Sequence, residues 1–403
     1  MIQKSEYKKR QKNLFKLFAK ETGLVVLYSP ALSIKQGDEH FPFYQDNNIL
    51  YLTGVDLVGT AVVLNQKTKK VTLYAPKPTI FGEIWAGKQS TYAELKKRYP
   101  VDSVADIQNL PTLVKKYKTV HSLPRLNGPI KKYVSDKIAY ALLKLRLVKS
   151  KEEIKLIKRS CLFTQKSYNL IQKLLLEKKT PAVMKANLDY HFARNGFKHA
   201  FNPIITTNGS VLHNDMYTTR LEKNKLLLVD MGAKGFNYAS DFTRTIPTGK
   251  INRYQKDILT LVRSVKEQTI QFVRPGLLFK EVHDYAVSLI VDALLNLGLL
   301  VGKKEAIIKV NAHQVFFPHG IGHHLGLDTH DCSELLKHFP KKTQPIPLSK
   351  GMVITVEPGV YFVETYMKNI SAFPKWKPFV NIALARKYAT SVSGVRDEDT
   401  IFL

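Results

Sequence analysis

Four histidines crowd one stretch of this sequence, His319-Gly-Ile-Gly-His-His-Leu-Gly-Leu-Asp-Thr-His-Asp331. They are His319, His323, His324 and His330. Two strand-like runs ahead of it end at Asp230 and Asp241, and two behind it carry Glu357 and Glu398. Read together, these residues form one metal site assembled from distant parts of the chain. Four carboxylates meeting in one pocket cannot all ionise unless cations hold them. One histidine with four carboxylates suits a pair of borderline divalent ions such as Mn(II), Co(II) or Zn(II). Shared carboxylates and a bridging hydroxide set two such ions about 3.5–4 Å apart, and the bridging water loses its proton near neutral pH to become a nucleophile.

The residue types leave open which histidine is the ligand. Gly320 and Gly322 disfavour a helix, so this is not the helical His-Glu-x-x-His pattern of zinc peptidases. In extended chain, positions 319, 321 and 323 share a face. His319 and His323 can then look into one pocket, and His330 can approach from the adjoining turn. His324 points to the other face, in a structural role.

The elements that position these groups follow from pattern. Residues 4 to 21 form a basic amphipathic helix with Leu14, Phe15, Leu17 and Phe18 on its buried side. A buried strand, Leu24-Val-Val-Leu-Tyr28, comes after Gly23. The stretch 38–54 is aromatic and irregular and contains a strand at Ile49-Leu-Tyr-Leu52. Gly59 to Leu64 pairs with Val71 to Ala75 around a Lys/Thr turn, and helices and strands alternate to about Val148. This is an α/β domain over residues 1–148, a usual domain size. Ser150-Lys-Glu-Glu153 is a capping box that opens the next helix and the second domain, residues 149–403. A second helix runs from Pro181 to Asn195. Strands are expected at 203–207, 226–230, 242–245, 352–357 and 395–403, with helices at 253–273 and 279–299.

Leu-Leu-Leu-Val-Asp230-Met-Gly echoes Val-Ile-Thr-Val-Glu357-Pro-Gly. Each is an apolar strand ending in an acid two residues before a glycine, with a second acid downstream at Asp241 or Glu398. The echo implies two related halves facing each other, each giving a pair of carboxylates. The second half carries an insertion.

The chain has 403 residues, of which 44% are hydrophobic, enough for an ordinary globular core in two domains. No apolar run approaches the roughly 18 residues of a membrane helix. The N-terminus lacks the apolar stretch of a signal peptide. The two cysteines, Cys161 and Cys332, argue against a disulfide framework and fit a reducing, cytoplasmic setting. The net charge of +29 is dispersed, and no basic arm concentrates it for nucleic acid.

Several runs resemble the pita-bread metallopeptidases, and within them the Xaa-Pro aminopeptidases and prolidases. They are Asn208-Gly-Ser-Val-Leu-His213, Val229-Asp-Met-Gly232, Asp241-Phe-Thr-Arg-Thr245, His319-Gly-Ile-Gly-His323, Gly326-Leu-Asp-Thr-His-Asp331, Val356-Glu-Pro-Gly359 and Gly394-Val-Arg-Asp-Glu398. The run FPFYQDNNILYLTGVD and Gly82-Glu-Ile-Trp85 resemble the family's N-terminal domain. The resemblance implies an α+β, pita-bread catalytic domain, of the creatinase/aminopeptidase kind, behind a smaller α/β domain. It implies Asp230, Asp241, His323, Glu357 and Glu398 as ligands of two divalent ions, with Mn(II) favoured over Co(II) and Zn(II). Asp241 and Glu398 would bridge both ions, and Asp230 would bind one. Glu357 would also accept the proton of the attacking water. His213 and His330 would serve the tetrahedral intermediate and the leaving prolyl nitrogen. His319 would line the proline pocket, and Arg396 would orient a ligand carboxylate or contact substrate.

The implied activity is removal of the N-terminal residue from peptides with proline second, by attack of a metal-bridging hydroxide. A prolidase acting on X-Pro dipeptides is the alternative, and a non-catalytic pita-bread binding module is a third reading. The resemblance also implies a homo-oligomer, dimer or tetramer, because the family's N-domain can reach a neighbouring subunit's active site. Trp85 itself is expected to pack locally. The sequence departs from the family at Asp397, an acid where an apolar residue is usual, and over Phe362 to Ser393, expected to form a lid or an interface. Five residues follow Glu398, so the closing strand is expected at an exposed edge.

Overall fold

The computed structural model describes residues 2–19, 21–123, 135–332 and 345–403. It divides into two units, Met1–Leu147 with Cys332–Thr343 and Val148–Asp331 with Gln344–Leu403.

In the first unit, α1 (Lys4–Leu17) precedes β1 (Leu24–Tyr28). β1 joins β2 (Ala61–Asn65), β3 (Val71–Ala75), β4 (Ser103–Asp106) and β5 (Val120–His121) in a mixed sheet ordered β4-β3-β2-β1-β5. Its core gathers Leu24, Val26, Ala61 and Val63 with Leu110 and Val114. The β2–β3 turn closes because the Asn65 side chain accepts from the Lys67 and Thr68 amides.

Two expectations are overturned in this unit. The strand expected at Ile49–Leu52 is a helix, α2 (Asn47–Thr53). Asp46 caps it by accepting from the Asn48 and Ile49 amides, and Gly54, at φ 67°, ends it in the left-handed conformation. Residues Asn48 to Thr53 are all buried, so no periodicity distinguished helix from strand. The first helix stops at Leu17, which is 48% exposed, while Arg10 and Gln11 are buried through hydrogen bonds to the Tyr51 and Leu52 carbonyls. Trp85 packs locally, as expected, against the Phe81 ring four residues earlier, and is 73% exposed. α3 (Asp136–Leu147) ends the unit's continuous segment.

In the second unit, the Ser150–Glu153 capping box is formed and starts α4 (Lys151–Leu176). Thr180 caps α5 (Pro181–Arg194), which has proline in its first turn. Behind the helices lie β6 (Ile204–Thr206), β7 (Leu226–Met231) and β8 (Phe242–Pro247), with β7 central and antiparallel to both. Every residue of β7 is buried. Leu227, Val229 and Met231 pack into the core of α4 and α5. The two-residue period therefore turns Asp230 to the opposite face.

Two helices follow, α6 (Arg253–Phe272) and α7 (Phe279–Asn296). The second half of the unit contains β9 (Val353–Val356), β10 (Gly359–Tyr361), β11 (Gly394–Arg396) and β12 (Asp399–Phe402). β9 pairs antiparallel with β12, and β10 with β11. The single closing strand expected over 395–403 is thus two strands, broken at Asp397–Glu398. β12 is half-buried throughout and pairs only with β9 among the described residues. The segment 362–393 is tied to its own unit. Trp376 donates to the Val310 carbonyl at 2.8 Å, Val380 bridges to Leu300, and Tyr388 donates to Asp257 at 3.1 Å. Among the described residues no helix is long and apolar enough to cross a membrane.

Candidate metal centre

The two halves deliver their acids in matching ways. Asp230 is the penultimate residue of β7 and Asp241 directly precedes β8; Glu357 directly follows β9 and Glu398 directly precedes β12. Thr243 and Glu398 form a bridge that stitches the halves together. The Thr243 hydroxyl donates to Glu398 Oε2 at 2.7 Å, and its counterpart Thr400 donates to the Asp241 carbonyl at 3.0 Å.

His323 sits where these strand ends meet. Ligand atoms of Asp241, His323 and Glu398 lie within 4.8 Å of one another. His323 Nε2 is 3.3 Å from Asp241 Oδ2 and 3.6 Å from Glu357 Oε1. Its Nδ1 lies 3.1 Å from the His324 carbonyl, which can only accept. Nδ1 therefore carries a proton, and Nε2 is the ring nitrogen that faces the carboxylates. Gly322 is required beside it: a Cβ there would meet the Thr355 carbonyl oxygen at 2.1 Å.

The charge state of the cluster is unfavourable by itself. Burial, then Asp230 and Glu357, push the Asp241 carboxyl well above its usual range. Burial, then Asp241, does the same to Glu398. Burial also raises Glu357, against the pull of His323. Asp230 Oδ1 and Glu398 Oε1 are buried without a hydrogen-bond partner. Orphaned acceptors converging with an imidazole nitrogen call for a cation. The donor set, one nitrogen and several carboxylate oxygens, suits borderline or hard divalent ions.

Asp230 is held slightly apart. Its Oδ2 accepts from Arg396 at 2.6 Å. Burial opposes the charge on Arg396, but Tyr361 and Asp230 outweigh it and keep the guanidinium charged. Arg396 also donates to the Tyr361 hydroxyl at 3.0 Å. That hydroxyl must then donate onward to His319 Nε2, 2.8 Å away, and His319 Nδ1–H donates to the Gly320 carbonyl at 2.7 Å. His319 is thereby locked as a neutral imidazole, consistent with burial lowering its pKa to about 4.

The expected residues divide as follows. Asp241, His323 and Glu398 come together, Glu357 reaches His323 Nε2 at 3.6 Å, and Asp230 is paired with Arg396. The His330 ring lies 4.1 Å from that of His323, its pKa lowered to about 4 by burial, then by His323 and His213. His213 is exposed and acts electrostatically on both His319 and His330. His319 does not reach the carboxylates and connects to them through Tyr361 and Arg396. His324 turns away, toward Phe279. Asp397 also turns away, so it is no rival for Arg396.

Sequence reasoning missed Tyr361, although it lies two residues after Gly359 on the strand that follows Glu357. It also missed Lys149 and Asp331, a buried ion pair at 3.0 Å. Asp331 also receives the Asp328 amide, and its own amide donates to the His324 carbonyl, closing the turn that presents His330.

Residues 155–403 match the model of metallopeptidase family M24, and residues 7–123 match that of the aminopeptidase P N-terminal domain. The chain belongs to metallopeptidase family M24. It is 31% identical to a probable Xaa-Pro aminopeptidase of Emericella nidulans, over 94% of this chain and 84% of the relative. It is 30% identical to one of Botryotinia fuckeliana, over 94% and 87%. Among solved structures, aminopeptidase PepP of Pseudomonas aeruginosa superposes with a TM-score of 0.84 at 25% identity, covering 100% of this chain and 93% of that one. A zinc-substituted aminopeptidase P of Escherichia coli in complex with product superposes at 0.79 and 24%, with coverage of 100% and 93%, and shows the shared fold. The fold is the pita-bread fold, and the chain is a metal-dependent peptidase.

Proposed function

We propose that this enzyme removes the N-terminal residue from peptides whose second residue is proline. The observation that carries the reading is the gathering of Asp241, Glu357 and Glu398 about Nε2 of His323. The relatives named as Xaa-Pro aminopeptidases support the substrate class.

In this reading Asp230, Asp241, His323, Glu357 and Glu398 hold two divalent ions, with Mn(II) favoured. When bound, the ions supply Lewis acidity and an acidified water. The chain's own groups do the rest. Glu357, whose Oε1 lies 3.6 Å from His323 Nε2, is the carboxylate that would take the water's proton. The scissile bond is a tertiary amide, so its nitrogen must gain a proton before leaving. The exposed His330 and His213 would stabilise charge on the carbonyl oxygen and pass that proton. Neutral His319 presents an apolar edge for the proline ring. Arg396 fixes the Asp230 carboxylate.

A cytoplasmic location fits a sequence with only two cysteines, Cys161 and Cys332. A dimer or tetramer fits the exposed apolar helix residues Ile80, Phe81, Ile84 and Trp85. The deciding experiment compares Arg-Pro-Pro-type tripeptides with X-Pro dipeptides under Mn(II), Co(II) and Zn(II). Tripeptides should be cleaved at the first bond with the higher kcat/KM. Preference for dipeptides would make the enzyme a prolidase, and no cleavage with any ion would end the reading.

A further inference from the structure

Between β11 and β12 the side chains alternate. Arg396 and Glu398 face the metal centre; Asp397 and Asp399 face the opposite way, toward α6 and β8. There they meet two cations. Lys266, on α6, lies 3.1 Å from Asp397 Oδ2 and 2.6 Å from Asp399 Oδ2. Arg244, on β8, lies 3.4 Å from Asp397 Oδ1 and 2.6 Å from Asp399 Oδ1. Arg244 also donates to the Glu398 carbonyl at 2.6 Å and the Thr243 carbonyl at 2.9 Å, with its guanidinium 4.0 Å over the Phe242 ring.

Lys266 and Asp397 have side chains only 9% and 6% exposed. A buried ammonium is costly unless it is paired. Here two cations and two anions balance in one layer. That layer grips the Glu398 peptide at its carbonyl and at the residues on both sides. On the site face, Thr243 holds the Glu398 carboxylate itself. Glu398 is thus set from behind by charges that never reach the metal centre.

We propose that Lys266, with Arg244, Asp397 and Asp399, is a positioning cluster that fixes the Glu398 carboxylate for divalent-cation uptake. This rests on Glu398 being a metal ligand, so the test includes Glu398→Gln. The full-length protein is stripped of metal and titrated with Mn(II) by calorimetry, with thermal midpoints recorded in parallel. Lys266→Met should weaken the weaker Mn(II) site by about 10–100-fold, the range typical when a ligand's supporting partner is lost. Lys266→Met/Asp397→Val leaves no buried unpaired charge and should recover affinity to within about threefold of wild type. Asp397→Asn, which keeps the Lys266–Asp399 pair and decides the matter if Lys266→Met does not fold, should weaken binding to a smaller extent. Wild-type Mn(II) affinity in both Lys266→Met and Asp397→Asn, whatever their thermal midpoints, overturns the positioning role if Glu398→Gln is impaired. Wild-type affinity in Glu398→Gln overturns the ligand assignment itself and the proposal with it.

Discussion

Arg396→Met tests how the centre is held together without its ions. Arg396 is 4% exposed, and its bond to Asp230 joins side chains that are 5% and 11% exposed. Solvent screening is therefore slight. Removing one partner of such a pair leaves a buried, uncompensated charge and costs about 3–5 kcal/mol. The loss of the bond to Tyr361 falls within that range, because the two bonds share one guanidinium. For a unit of this size each kcal/mol lowers the thermal midpoint by about 2–4 °C, so the drop should be roughly 6–20 °C in chelator. Saturating Mn(II) should shrink it, since a cation beside Asp230 replaces part of what Arg396 supplied. Arg396→Lys should fall in between, because a single ammonium cannot reach both Asp230 and Tyr361 in fork geometry. Scanning calorimetry with and without metal gives the comparison. A metal-free midpoint within about 2 °C of wild type would refute the reasoning, since it would mean Asp230 is not dependent on its partner.

Three further outcomes are expected. His313 is 3% exposed, and burial, then His283, lowers its pKa from 6.5 to about 4. The unfolded chain protonates first, so this stability is complete above pH 6.5 and lost as pH falls toward 4; it amounts to about 3 kcal/mol over that span. His313→Leu should flatten the fall in urea midpoint between pH 7.5 and 5, and an unchanged fall would remove His313 as its source. Asp241, Glu357 and Glu398 have raised carboxyls, so at these three groups the metal-free fold holds more protons than the unfolded chain, and their own contribution to stability falls as pH rises above about 4. Mn(II) binding should then release protons, read by calorimetry at pH 6 in buffers of different ionisation heat; identical heats in all buffers would contradict the raised values. His330→Ala should keep two Mn(II) by elemental analysis yet lose about two orders of magnitude in kcat, as expected for a lost transition-state donor, and full turnover would remove it from the chemistry.

The site was legible because its residues declare themselves locally. Acids placed at the ends of apolar strands, each two residues before a glycine or leading into a threonine strand, mark both halves of the centre. The internal echo was also informative: the strands it compares, β7 and β8 in one half and β9 and β12 in the other, prove to pair within each half. What the sequence hid depends on burial. Asn48 to Thr53 is buried all round, and only Asp46 and Gly54 distinguish helix from strand. The break at Asp397–Glu398 interrupts what reads as one continuous strand. Lys266 was visible in principle, standing four residues after Val262 on the apolar stripe of α6, where a lysine signals a hidden anion. Tyr361 and the Lys149–Asp331 pair join residues 35 and 182 positions from their partners, a relation no spacing rule expresses.

The bridge between Thr243 and Glu398 has a further consequence. Each half of the catalytic unit brings two acids to the seam, and in the proposed reading the bound ions would be shared across it. Ions held that way would act as a clasp, so chelation should loosen the joint between the halves before it loosens either half. Limited proteolysis of the stripped enzyme should first cut connections between the halves, leaving each half's paired strands intact.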